Sequence, residues 1–194
     1  MTRENYTCKV ISELIKDKFS ILLHQSKKAN DFGGSFDYSE KEFIVSMHNK
    51  TGFEILIHEY CHYLQWKTNR KQFLKLINGC SIVFDWLEGT FYKKDVVAEA
   101  IKAAITLEWD CENRALEQIK KHKLDIDIDQ YCKAANSYLL FYNIVHEKRK
   151  WYSNNAYTAA LLKKMPDKLM DLEYYFDIDN ITEPQYKQYL KLID

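Results

Sequence analysis

The run Ile55-Leu56-Ile57-His58-Glu59-Tyr60-Cys61-His62-Tyr63-Leu64 constrains this chain more than any other, because it sets His-Glu-x-x-His inside an otherwise apolar stretch. On an α-helix His58 and His62 stand about one turn apart on one face, so both imidazoles can hold a single metal ion. Glu59 is turned about 100° from His58, close enough to reach a water on that ion without ligating it. Two neutral imidazoles, a metal that draws the pKa of its water toward about 7, and a carboxylate that takes the proton are the parts that hydrolysis of a carbonyl needs. With 6 His in 194 residues, an accidental match arises on the order of once per hundred chains of this composition. The context agrees: Thr51-Gly52-Phe53-Glu54 has the form of a capping box, which predicts a helix start one turn before the motif. Without a metal or a partner, the polar groups set among Ile55, Leu56, Ile57 and Leu64 would cost about 1–3 kcal/mol each.

In these residues the chain resembles the HExxH zinc metallopeptidases, the zincins, and within them the gluzincin branch, whose third ligand is a downstream glutamate. The resemblance implies Zn²⁺, His58 and His62 as ligands, and Glu59 as general base. The segments HEYCHYLQW, LEWDCENRA, ANSYLLFY and KRKWY together also resemble uncharacterised metallopeptidases encoded by tailed phages. That second likeness implies a host-cell cytoplasm and says little about substrate.

Lys plus Arg equals Asp plus Glu, 28 against 28, so no net field favours a polyanion and nucleic acid is not an expected partner. The start of the chain is polar and leads into an amphipathic stretch, so neither export nor a membrane span is expected. Cys8, Cys61, Cys80, Cys111 and Cys132 are an odd number without close pairing, which fits free thiols in a reducing cytoplasm. Only 5 Gly and 2 Pro predict a mainly helical chain. The fold class expected is α+β and mainly helical: a minimal zincin-like core with a small antiparallel sheet, the motif helix and a long ligand helix over residues 1–125. Residues 126–194 would form a helical extension packed on that core as one compact unit.

Along the chain, Val10, Ile11, Leu14 and Ile15 predict a first helix from Asn5 to about Asp17. The run Phe19–His24 reads as a buried strand. After Gly33-Gly34, Phe36-Asp37-Tyr38 and Phe43–Met47 read as a hairpin. By the resemblance, its edge strand would line the cleft and pair with an extended peptide; the alternative is a plain structural hairpin. The motif helix should end near Thr68-Asn69, followed by short helical pieces around Phe73–Ile77 and Ile82–Leu87, broken at Asn78-Gly79. A long helix is expected from Asp95 to Lys121 and another from Gln130 to Lys150. Leu124–Asp129 alternates like a calcium loop but lacks the glycine and terminal glutamate, and reads as a connector with capping aspartates. Thr182-Glu183-Pro184-Gln185 is a second capping box, opening a last helix through Leu192.

Two histidines do not complete a zinc site. Glu88, Glu99, Glu108, Cys111, Glu112 and His122 are the candidates for a third ligand. Gluzincins pair the ligand glutamate with an acidic residue four positions on, which orients a ligand imidazole; by that resemblance Glu108 is the ligand and Glu112 the orienting residue. Both fall on the apolar side of their helix, with Ile101, Ala104 and Ala115, where two carboxylates need a cation. Glutamate stands where aspartate is commoner, so Glu112 is an alternative ligand. Cys111 and Cys61 read more simply as buried free thiols, and His122 as a solvated histidine. An oxyanion donor would come from His146, Arg149, Tyr152 or Tyr157. Trp66, Trp86, Trp109 and Trp151 read as core and cleft wall, since no basic run interleaves them. The function expected is hydrolysis of peptide bonds in a peptide or protein substrate. The alternatives are a metal-containing binding or regulatory protein without proteolysis and a metal-free helical interaction module; nothing in the sequence assigns an oligomeric state.

Overall fold

The computed structural model describes residues 1–24, 33–48, 50–151 and 158–193. The chain forms two compact units, one of Met1–Arg70 with Cys111–Ile126 and one of Lys71–Asp110 with Asp127–Asp194. The segment Lys71–Asp110 groups with the C-terminal residues. The secondary structure is mainly helical with one three-stranded sheet, the α+β class that the composition predicts.

In the first unit, helix α1 (Arg3–Lys16) is capped by Thr2, whose hydroxyl accepts from the amide of Asn5, and it buries Tyr6, Val10 and Leu14 at four-residue spacing. Strands β1 (Ser20–His24), β2 (Gly34–Asp37) and β3 (Glu42–Ser46) make a sheet of order β1-β3-β2. The pair β2–β3 is antiparallel, as a hairpin must be, whereas β1 runs parallel to β3. The sheet is therefore mixed and not the small antiparallel sheet expected. Alternation fixes which side chains a strand buries, here Phe43 and Val45, but not the direction of its neighbour.

Helix α2 (Gly52–Thr68) carries the motif and ends where the sequence predicts. Its start is made differently. Thr51 sits at φ −96°, ψ 11° and makes no side-chain cap, and Glu54 keeps a buried Oε2 without a hydrogen-bond partner among the described residues. A capping residue needs an extended backbone. Here Gly52 is pressed against the end of β3, where a Cβ would meet Met47 Cα and the Ser46 carbonyl oxygen at 2.8 Å each, so packing sets the entry angle. Phe19, Phe36, Tyr63 and Trp66 then bind strands to helix through ring contacts of 5.3 to 6.3 Å.

Helix α4 (Lys94–His122) is continuous, with residues up to Asp110 in the second unit and residues from Cys111 in the first. In the second unit, α3 (Arg70–Leu87) is one helix where two broken pieces were expected. Gly79 interrupts the propensity but not the structure, because a Cβ at that position would lie 2.5 Å from the Ala103 Cβ and 3.1 Å from the Ala100 carbonyl. The glycine serves close helix packing. Helix α5 (Ile128–Lys148) is capped by Asp127 through the amide of Gln130, as the connector reading predicts. The short α6 (Ala159–Leu162), two 3₁₀ turns at Leu172–Phe176 and Ile178–Asn180, and α7 (Glu183–Ile193) complete the unit. At Thr182 the amide and the hydroxyl both donate to Gln185 Oε1 at 2.8 Å, the returning half of the predicted capping box. Among the described residues no helix is long and apolar enough to cross a membrane.

Candidate metal centre

Helical spacing on α2 brings the two imidazoles together as the sequence requires. Their rings meet edge to face, with centroids 4.7 Å apart, and Nε2 of His58 lies 3.1 Å from Nε2 of His62. The other nitrogen of each ring faces an acceptor. His58 Nδ1 is 3.0 Å from Glu112 Oε1, and His62 Nδ1 is 2.8 Å from Gln65 Oε1. A carboxylate and an amide oxygen accept, so a proton on Nδ1 of each ring matches both partners. In that tautomer the two Nε2 lone pairs point at one place, where a shared proton or a metal ion satisfies both. Two nitrogens on a tetrahedral zinc, at about 2.0–2.1 Å each, are about 3.3 Å apart; the observed separation is close to that.

Burial adds to the demand for positive charge. Glu59 is 8% exposed, His62 8%, and Glu112 6%. Glu59 lies against β2 at Gly34, where a Cβ would come within 2.9 Å of its Cγ and 3.1 Å of its Oε1, and within 2.7 Å of the Ile55 side chain. Only glycine leaves room there, so the strand passes directly beside the carboxylate. Among the described residues β2 is paired on one side only, by β3.

The thiol of Cys111 joins the cluster. Ligand atoms of His58, His62 and Cys111 all lie within 4.8 Å of one another. The Sγ donates to the His58 carbonyl at 3.2 Å and is 3.6 Å from His58 Nδ1, so it approaches on the side of the ring that Glu112 also faces. Cys61, one turn away in the same buried layer, has its thiol pushed well above the ordinary range by burial and then by Cys111, which fits an inert core cysteine. The donor set of imidazole, thiol and carboxylate suits zinc better than the hard cations that prefer oxygen alone.

The other sequence candidates distribute as follows. Glu108 is 7% exposed, on the part of α4 that belongs to the second unit, where its charge and, chiefly, burial raise the Cys80 thiol. Glu88 and Glu99 are exposed, the latter paired with Lys102 at 3.3 Å. His122 is not solvated as expected: it closes α4, its ring lies 5.3 Å from that of Tyr6, and burial lowers its pKa. Arg149 already donates to the Trp86 carbonyl at 2.9 and 2.6 Å and stacks on that indole, and His146 has its pKa lowered by burial, both within the second unit. Tyr152 and Tyr157 lie outside the described residues. Gln65 and Gly34 were not singled out from sequence as site residues. Gln65 was legible as a polar residue three positions after His62 on a buried face; a glycine beside another glycine carried no comparable signal.

No family model, curated protein or solved structure matches the chain.

Proposed function

We propose that this protein is a zinc-dependent hydrolase of peptide bonds, with His58 and His62 as metal ligands and Glu59 as the proton-transferring carboxylate. The observation that carries the reading is the approach of His58 Nε2 and His62 Nε2 to 3.1 Å on one helix face, with Glu59 on the residue after His58. His58 and His62 would hold Zn²⁺, which when bound would supply Lewis acidity toward a water and a carbonyl. The chain's own residues supply the rest. Glu112 and Gln65 fix the tautomer and the orientation of the two rings. Glu59 would take a proton from the attacking water and pass it to the departing amine. Strand β2, held close to Glu59 by Gly34, offers backbone groups along which an extended peptide can lie.

The third ligand comes from α4. The resemblance assigns it to Glu108, and the cluster geometry offers Cys111. Cys111 also favours a second reading, since a thiolate closing the site describes a metal that stabilises the fold of a binding or regulatory protein without proteolysis. The two readings separate in one assay. Zinc-loaded wild type should cleave an unstructured protein such as casein, and Glu59→Gln should lose about 100-fold or more in rate while keeping its zinc. Cleavage by that variant at the wild-type rate would refute the role of Glu59, and metal without cleavage in the wild type would select the second reading.

A further inference from the structure

At the far end of α2 from His58, the side chains of Asp17, Lys41, Trp66, Lys67 and Arg70 surround an open cavity of about 310 Å³. Three of the five are cations and one is an anion. Asp17 is engaged: it accepts from Tyr63 and forms an ion pair with Lys67 at 3.1 Å, contacts that hold its carboxyl below the ordinary range. Lys41 donates to the backbone oxygen of Asp17, at 3.1 Å, and its charge adds to those lowering the Asp17 carboxyl, while Arg70 has no carboxylate partner among the described residues. Both lie over Trp66, with the Lys41 Nζ 4.9 Å and the Arg70 Cζ 5.5 Å from the ring centroid. Lys41 is moreover held at φ 58°, a left-handed conformation that is uncommon for a residue with a side chain. Three cations against one carboxylate, two of them spread over an aromatic wall, leave a surplus of positive charge that can receive an anion.

We infer that this cavity binds a carboxylate of an extended peptide lying along β2, so that acidic peptides are the preferred ligands of the proposed metal centre. The inference rests on the peptidase reading for its peptide and on the cavity for its charge. The same strand links the two places. Phe36 of β2 packs on Trp66 with centroids 6.3 Å apart, and Gly34, two residues earlier, abuts Glu59. Seven residues of helix separate Glu59 from Trp66, about 10 Å. An extended chain covers that distance in about three residues. The carboxylate therefore belongs to a Glu or Asp side chain about three positions from the bond opposite Glu59, or to a C-terminus at that distance.

The test reads binding without turnover. Zinc-loaded Glu59→Gln protein is titrated with an acetylated, amidated alanine–glycine octapeptide containing one Glu, with its Gln counterpart, and with the Gln peptide bearing a free C-terminal carboxylate. The Trp66 indole N–H signal, assigned by Trp66→Phe, reports occupancy. The Glu peptide or the free-carboxylate peptide should bind about tenfold more tightly than the amidated Gln peptide at low salt, and which of the two does so identifies the source of the charge. Adding Lys41→Gln and Arg70→Gln together should erase that advantage while leaving the melting temperature unchanged. Equal affinity for all three peptides, or an advantage that survives the double change, overturns the inference. Inorganic phosphate shifting the signal as tightly as the Glu peptide would likewise overturn it, by showing a site for free anions. Wild type that binds the Glu peptide and never cleaves it would refute the peptidase reading and leave the carboxylate site standing.

Discussion

Helices α2 and α5 both bury polar side chains, and the two solve the resulting problem differently. On α5, the buried amides of Asn136 and Asn143 close on partners within their own unit. Asn136 donates to the carbonyls of Pro166 and Lys168 at 2.9 Å each and accepts from the Tyr175 hydroxyl, while Asn143 donates to the Tyr175 carbonyl at 2.9 Å and the Tyr189 hydroxyl donates to the Ser137 backbone carbonyl at 2.8 Å. Donors meet acceptors, and the product is a loop segment fixed to a helix. On α2 the second nitrogens of His58 and His62 are matched in the same way, by Glu112 and Gln65, but the first nitrogens face each other at 3.1 Å. Buried polarity alone does not mark a site; two imidazole nitrogens turned on each other do, because they can share one cation.

The contrast is broken most severely at His62. His62→Ala should abolish stoichiometric zinc, a loss of more than about 100-fold in affinity, since removing a ligand exceeds the 10- to 100-fold usual for an outer partner. Elemental analysis with a zinc-competition titration checks this. Retention of a full equivalent of tightly bound metal would place the ion elsewhere. The reciprocal change in the other helix should spare the metal. Asn136→Ala removes hydrogen bonds to two carbonyls and a tyrosine and leaves them buried, which should cost about 2–4 kcal/mol in a urea unfolding experiment with zinc content unchanged.

A smaller effect separates the two members of the acidic pair on α4. Glu112→Gln keeps an oxygen opposite His58 Nδ1 but removes its charge, so zinc affinity should fall about tenfold, the low end for an orienting partner. Glu108→Gln and Cys111→Ser, measured beside it, should identify the ligand by the larger loss. Cobalt substitution adds an independent readout, since a cysteine ligand gives an intense near-ultraviolet charge-transfer band that Cys111→Ser removes and Glu108→Gln does not.

These differences also explain how far the chain could be read unfolded. The motif helix, the hairpin, the long helix, α5 and its aspartate cap were legible because each is set by local periodicity or by side chains a few residues apart. The His58–His62 pair and the burial of Glu108 and Glu112 follow from spacing alone. What could not be read depends on neighbours distant in sequence. Gly79 looks like a helix breaker until Ala103 is known to lie against it, and Thr51 looks like a cap until Gly52 is known to be pressed on β3. The direction of β1 and the position of Gly34 against Glu59 are of the same kind. Site residues were legible where the chemistry demanded a spacing, and hidden where it demanded only room.

The smallest effect expected distinguishes the two regions by acid. Metal binding requires unprotonated imidazole, so acidification should release zinc from the first unit in a steep step that excess zinc moves to lower pH. In the second unit His146 has its folded pKa lowered by burial. The unfolded chain therefore takes up that proton first, and the folded unit loses stability as pH falls from the ordinary histidine value of about 6.5 to the lower folded value, with no further loss from this group below it. Stability from this residue is fully present above that window. Because His146 is largely exposed, the slope should be shallow, and excess zinc should not move it. Urea midpoints recorded across pH 7 to 5, with and without excess zinc, should show a shallow metal-independent component that His146→Gln removes. If that component vanishes instead in His62→Ala and persists in His146→Gln, the acid response belongs to the metal centre alone.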